Sequence, residues 1–371
     1  MNKITLPLIL IVTGSFIFSF FEGPEDENHQ SKFNKSYAIY APNQPDIISF
    51  AGEIMPLSQN DIKERFDREL LVNTYWQSQT LLFIKKANKY FPIIEPILKA
   101  QGIPDDFKYL ALAESGLSNV VSPSGASGFW QIMKATAIEN GLRIDDEVDE
   151  RYHLEKATLT ACKYLNEAYV KFGSWTLAAA SYNMGMRGIE KQLKKQEVEN
   201  YYDLLLNSET ARYIFRISAI KEILTNPKTY GFHLRKKDLY TSAPLEYVLL
   251  DTAVSNFTQY ANNLNINYKI LKEYNPWLRK ADLKNKDKIA YVITVPQEGY
   301  YVAENTTQFI NNSAQEKKKD TLKIELTRTS LLKNVAKENE ISLEELILQN
   351  REVLDLKVKK GQKLTIIKES N

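Results

Sequence analysis

From Ser58 to about residue 225 the chain repeats apolar residues at helical spacing and has no alternating strand pattern, which commits this stretch to packed helices. The spacing predicts a helix to Trp76 and a second over Ser78–Tyr90. Pro92 and Pro96 predict a break before Ile93–Ala100. Gly102-Ile103-Pro104-Asp105-Asp106 reads as a helix start, with proline in the first turn and acids at the positive dipole end. Further helices are predicted over Phe129–Asn140, Lys156–Phe172, Ser174–Met184 and Ser208–Leu224. Residues 50–232 thus read as one mostly α domain.

Within that domain, Glu114 is out of place. Phe107, Leu110, Ala111 and Glu114 share one helical face, so a carboxyl closes an otherwise apolar stripe. Held against apolar neighbours it would resist ionisation, and a raised-pKa carboxyl suits general-acid cleavage of a glycosidic bond. The same spacing allows a helix that simply ends at Glu114, with its side chain in water. The next segment, Val121 to Gln131, is rich in Ser and Gly and reads as a loop. Ser122 and Gln131 there could bond sugar hydroxyl or acetamide groups, or the loop could be an ordinary turn anchored by Trp130. In the third notable stretch Ser174 caps a helix that Gly185 ends. Trp175, Ala178, Ala179 and Tyr182 share a face, so Tyr182 points inward with Asn183 beside it, as a core pair or as part of a site.

After Tyr240 the pattern changes to short strand-like runs at Leu245–Leu250, Tyr291–Val295, Leu322–Leu326 and Leu364–Ile367. An internal repeat accounts for them: Val254–Asn275 superposes on Thr329–Asn350 without a gap, at an offset of 329 − 254 = 75. Ala261 falls on Ala336, Ile266 on Ile341, Leu271 on Leu346 and Asn275 on Asn350. Each copy reads as strand–helix–helix–strand, over 243–297 and 321–368, with a polar linker at 298–320.

Lys plus Arg exceed Asp plus Glu by only 48 − 46 = 2, which gives no bulk attraction for nucleic acid. The single cysteine, Cys162, excludes an internal disulfide and reads as a small buried residue. His29, His153 and His233 are not spaced as metal ligands, so no metal and no cofactor is expected. Lys3 followed by the apolar Ile4–Phe21 reads as an export segment over 1–22, either a cleaved signal peptide or a retained signal anchor that would tether the protein to a membrane. A polar tether follows over 23–49.

Taken together, Glu114-Ser115, the Ser122–Gln131 loop and Ala180-Ser181-Tyr182-Asn183-Met184-Gly185 resemble the ordered motifs of the family 1 lytic transglycosylases. Asp149-Glu150-Arg151 and Glu209-Thr210-Ala211-Arg212-Tyr213 extend the likeness, which covers about residues 50–232. The C-terminal repeats resemble LysM modules. The resemblance implies an α+β multidomain protein: a goose-lysozyme-like, mostly α catalytic domain followed by two small βααβ LysM-like modules. It further implies an exported, cell-envelope enzyme, acting as a monomer on peptidoglycan glycan strands. The implied reaction is non-hydrolytic cleavage of the β-1,4 bond between N-acetylmuramic acid and N-acetylglucosamine, closing a 1,6-anhydro ring. Glu114 would be the acid and then the base; Ser122, Gln131, Tyr182 and Asn183 would line the site, joined by Glu209 and Tyr213. As a helix N-terminal acid, Glu209 equally suits a structural role.

Two departures stand out. Phe129-Trp130 replaces the family's more usual Leu-Met or Leu-Trp, and the Gly-Asp-Thr of LysM modules is Leu250-Asp251-Thr252 in the first copy and absent from Thr327-Arg328-Thr329-Ser330 in the second. The likeness therefore speaks more for the modules' fold than for their sugar binding. A hydrolytic muramidase on the same fold and a non-catalytic glycan-binding protein are the competing readings.

Overall fold

The computed structural model describes residue 31 and residues 41–297, 299–300, 319–350, 353 and 357–369. The export segment 1–22, most of the tether and most of the 298–320 linker lie outside these. Among the described residues no helix is long and apolar enough to cross a membrane.

The first domain is built of helices α1 (Asn60–Tyr75), α2 (Gln77–Ala100), α3 (Phe107–Ser115), α4 (Lys134–Glu139), α5 (Leu154–Phe172), α6 (Trp175–Met184), α7 (Met186–Gln196) and α8 (Ser208–Thr225). They enclose a single apolar core. α3 lies deep in it, with Phe107, Leu110, Ala111 and Leu112 fully buried. α6 enters the core on Ala178, Ala179 and Ala180, whose small side chains let it pack against both α5 and α8. Cys162 is buried as expected, and burial pushes its thiol pKa up to about 12.

The break expected at Pro92 does not occur: Gln77–Ala100 is one helix with both prolines inside it. Pro92 and Pro96 are four residues apart on the solvent face, where water can reach the carbonyls their missing N–H groups leave free. Opposite them Ile94, Ile97 and Leu98 are fully buried, each contributing about 1.5–3 kcal/mol against a proline cost of about 3 kcal/mol or more.

A short hairpin, β1 (Ser49–Phe50) with β2 (Glu53–Ile54), holds the two site-bearing helices α3 and α6. The Glu53 carboxylate accepts hydrogen bonds from Trp175 N (2.6 Å), Thr176 N (2.9 Å) and Ser174 Oγ (2.8 Å), at the N-terminus of α6. Asp106, just before α3, accepts from Ala51 N at 2.7 Å and pairs with Lys221 Nζ at 2.6 Å, which also donates to Ser49 O.

Both copies contain the strand–helix–helix–strand order, and the second adds a short strand pair, 330–331 with 357–358. β3 (Leu245–Leu250), α9 (Phe257–Asn263), α10 (Tyr268–Tyr274) and β4 (Tyr291–Pro296) make the first module. The second comprises β5 (Lys319–Glu325), β6 (Ser330–Leu331), α11 (Leu332–Glu338), α12 (Leu343–Gln349), β7 (Lys357–Val358) and β8 (Lys363–Glu369). β3 pairs with β4, and β5 with β8, both antiparallel. Asn275 and Asn350, superposed by sequence, do the same work in each copy. The Asn275 amide donates to Leu271 O and Thr294 O and accepts from Thr294 N; that of Asn350 donates to Leu346 O and Thr365 O and accepts from Thr365 N. Both are buried. Asn350→Ala would strand the Thr365 N–H and two carbonyls, at about 1–3 kcal/mol for each buried group left unpaired. In a module with so small a core that loss should open 319–369 to protease while the first domain stays resistant; equal resistance would count against this role.

Candidate active site

α3 ends at Gly116, which takes a left-handed conformation (φ 59°), so Glu114 and Ser115 fill its last turn. Ser115 Oγ donates to Phe129 O at 2.7 Å and ties the Ser/Gly loop to the helix. Lys86 Nζ donates to Gly116 O at 3.0 Å and to Ser118 Oγ, satisfying the helix end.

The Glu114 side chain is half-buried. Its carboxylate accepts a hydrogen bond from Tyr213 Oη, on α8. Burial raises its pKa above the ordinary carboxyl range; the Tyr213 hydrogen bond and the Arg216 charge pull the other way, and the Glu209 charge adds to the rise. The phenols of Tyr182 and Tyr213 are pushed far above their usual value, first by burial and then by the Glu114 charge, so both stay neutral donors. Tyr182 Oη donates to Trp130 O at 2.8 Å, and its ring meets Tyr164 edge-on.

Beside this pair, Asn183 Nδ2 donates to Glu209 Oε1 at 2.9 Å, and Asn183 Oδ1 accepts from Thr210 Oγ1 at 2.6 Å. The fold therefore brings Glu114, Tyr182, Asn183, Glu209 and Tyr213 together from three helices. Ser122 and Gln131 stand apart in their hydrogen bonding. Ser122 Oγ accepts from Ala126 N at 3.0 Å, and Gln131 Nε2 donates to Val120 O and Gly128 O, all within the loop. The helix expected from Phe129 starts only at Lys134. Residues up to Ile132 continue the loop because Gln131 is left-handed (φ 48°) and Trp130 is pinned, fully buried, with Nε1 bonded to Thr158 Oγ1 at 2.8 Å.

Sequence reasoning missed Arg216 as an electrostatic neighbour of Glu114. The signal was present: Glu209, Tyr213 and Arg216 recur at i, i+4 and i+7 of one helix face. It also missed how Arg151 serves the loop. Its guanidinium pairs with Asp149 (2.7 and 3.0 Å) and donates to Gly125 O (2.9 Å) and Ile132 O (3.3 Å).

The Tyr213 hydroxyl favours the charged form of Glu114, so Tyr213→Phe should raise the Glu114 pKa further. For a reaction that needs protonated Glu114, the alkaline limb of the pH–rate profile should move to higher pH. A profile that stays put or moves to lower pH would contradict this electrostatic role.

Residues 91–205 match the family described as "Transglycosylase SLT domain", and residues 246–299 match "Soluble lytic transglycosylase C-terminal LysM-like domain". The chain therefore carries an SLT transglycosylase domain, lysozyme-like in fold, followed by a LysM-like domain. Over 247 residues it is 28% identical to membrane-bound lytic murein transglycosylase D of Escherichia coli K12, an alignment covering 64% of this chain and 53% of that relative. The protein of the same name from Escherichia coli O6:H1 matches to the same extent. The chain thus spans about half the length of the curated relatives it matches.

Proposed function

We propose that this protein is a peptidoglycan lytic transglycosylase that cleaves the β-1,4 bond between N-acetylmuramic acid and N-acetylglucosamine and leaves a 1,6-anhydro end. The observation that carries the reading is the half-buried Glu114 carboxyl, hydrogen-bonded by Tyr213 Oη, with its pKa raised by desolvation. Protonated Glu114 gives its proton to the departing glycosidic oxygen. As carboxylate it then takes the proton of the sugar's own C6 hydroxyl, which closes on C1. A pKa raised toward working pH suits a group that must act in both forms. The substrate's 2-acetamido group assists departure, so the mechanism asks for no second carboxylate of the kind paired in hydrolases.

Tyr213 holds the Glu114 carboxyl in place, and Tyr182, Asn183, Ser122 and Gln131 line and orient the muramic acid. Glu209 has a further role, holding Asn183 through its side-chain amide. Export to the cell envelope accompanies this activity, in keeping with the apolar Ile4–Phe21 and with relatives named membrane-bound. A zymogram on purified cell wall tests the reading. A cleared band is expected, and its absence with folded protein would refute enzymatic activity.

A further inference from the structure

The first LysM-like module is fastened to the catalytic domain along one continuous seam. Val148 pairs with Leu278 as an isolated antiparallel bridge. Asp149 N donates to Trp277 O at 2.9 Å, and Arg279 N donates to Glu147 O at 2.7 Å. Val148 and Tyr152, from the catalytic domain, complete the module's own apolar core. The indole of Trp277 stacks on His153, the Arg279 guanidinium lies 4.2 Å from the Tyr152 ring centre, and Arg143 donates to Tyr291 Oη at 2.8 Å. Trp277 and Tyr291 are buried, so their aromatic faces are spent on this joint.

The far side of the same catalytic segment grips the Ser/Gly loop. Arg151 follows directly on Asp149 and Glu150, and it reaches Gly125 O and Ile132 O while Asp149 holds it from behind. Its own carbonyl packs on Gly128, leaving no room for a side chain there. One short segment, 147–152, thus carries the module on one side and the loop on the other.

We propose that the first LysM-like module braces the loop 121–132: Trp277 and Leu278 are positioning residues that act on the site through 147–152 and Arg151, and Tyr291 is one that acts through Arg143, whose backbone N–H and carbonyl bond Glu150. The effect on catalysis rests on the loop's proposed part in orienting sugar; the mechanical coupling does not. A loosened loop would misplace Ser122 and Gln131 relative to Glu114, and small displacements in a binding site are costly to rate.

The test uses hydrogen exchange and kinetics on the full chain. Trp277→Ala should speed amide exchange in 120–133 by about tenfold or more while α8 stays protected. Cleavage of cell wall should fall by about tenfold with an unchanged pH profile, since the Glu114 surroundings are intact. Tyr291→Phe, which removes only the hydroxyl bonded to Arg143, should give a smaller change of the same kind. Arg151→Lys should loosen 120–133 and leave the module protected. If 120–133 stays protected when the module loosens or unfolds in Trp277→Ala, the brace is refuted. If the loop loosens while activity holds, the brace stands and the loop's sugar-orienting role falls.

Discussion

Glu114→Gln is expected to fold normally and to cut glycan by about a thousandfold less than the native protein. Glutamine keeps the size of the side chain and an oxygen that can accept from Tyr213 Oη, so the packing of α3 against α8 is preserved. It can neither give a proton to the leaving oxygen nor take one from the C6 hydroxyl, so both steps fail together. Stability should move the other way. Burial raises the folded-state pKa of Glu114, so its contribution to stability is fully present below the unfolded value and is lost as pH rises through the folded one. Above the unfolded value the carboxyl ionises more readily in the unfolded chain than in the folded one, which costs the native protein stability, and the neutral amide removes that penalty. The variant should therefore melt higher than the native protein at pH 7–8, with the gap closing toward pH 4. A melting point that falls at neutral pH, or cleavage retained, would each break one half of this argument.

Gly128→Ala should be the most disruptive single-methyl change in the catalytic domain. A Cβ at this position would sit 2.1 Å from Arg151 O and 2.9 Å from its carbonyl carbon, and neither backbone atom can swing aside. The backbone there is also left-handed, at φ 81°. Left-handed geometry costs roughly 1–2 kcal/mol for a residue with a side chain, and overpacking adds about 1–3 kcal/mol. Relief requires the loop to part from 147–152, breaking the Arg151 bonds to Gly125 O and Ile132 O. A fall in melting temperature of roughly 5–15 °C is expected, together with weakened cleavage. A variant as stable and active as the native protein would mean that the loop does not pack against Arg151 in this way.

Much of the architecture could be read from side-chain spacing. Helical periodicity marked the α domain, and the 75-residue offset placed Asn275 over Asn350, which form matching hydrogen bonds in the two modules. Local patterns failed where a distant neighbour decides the outcome. Proline rules broke α2 because they could not see that both rings face solvent while Ile94, Ile97 and Leu98 drive into the core. The Phe129–Ile132 segment looked helical because its anchor, Thr158, and its brace, Arg151, lie far along the chain. At the site, the position of Glu114 on an apolar face was legible. Its partner Tyr213 stands 99 residues away, and a contact of that range leaves no local mark.

The most direct measurement is the mass of the fragments released when the full chain digests purified cell wall. If Glu114 serves as the only acid and base and the sugar's C6 hydroxyl is the attacking group, every new muramic acid end should be one water lighter than a reducing end. Fragments carrying ordinary reducing ends would show that water attacks instead, and would contradict the account.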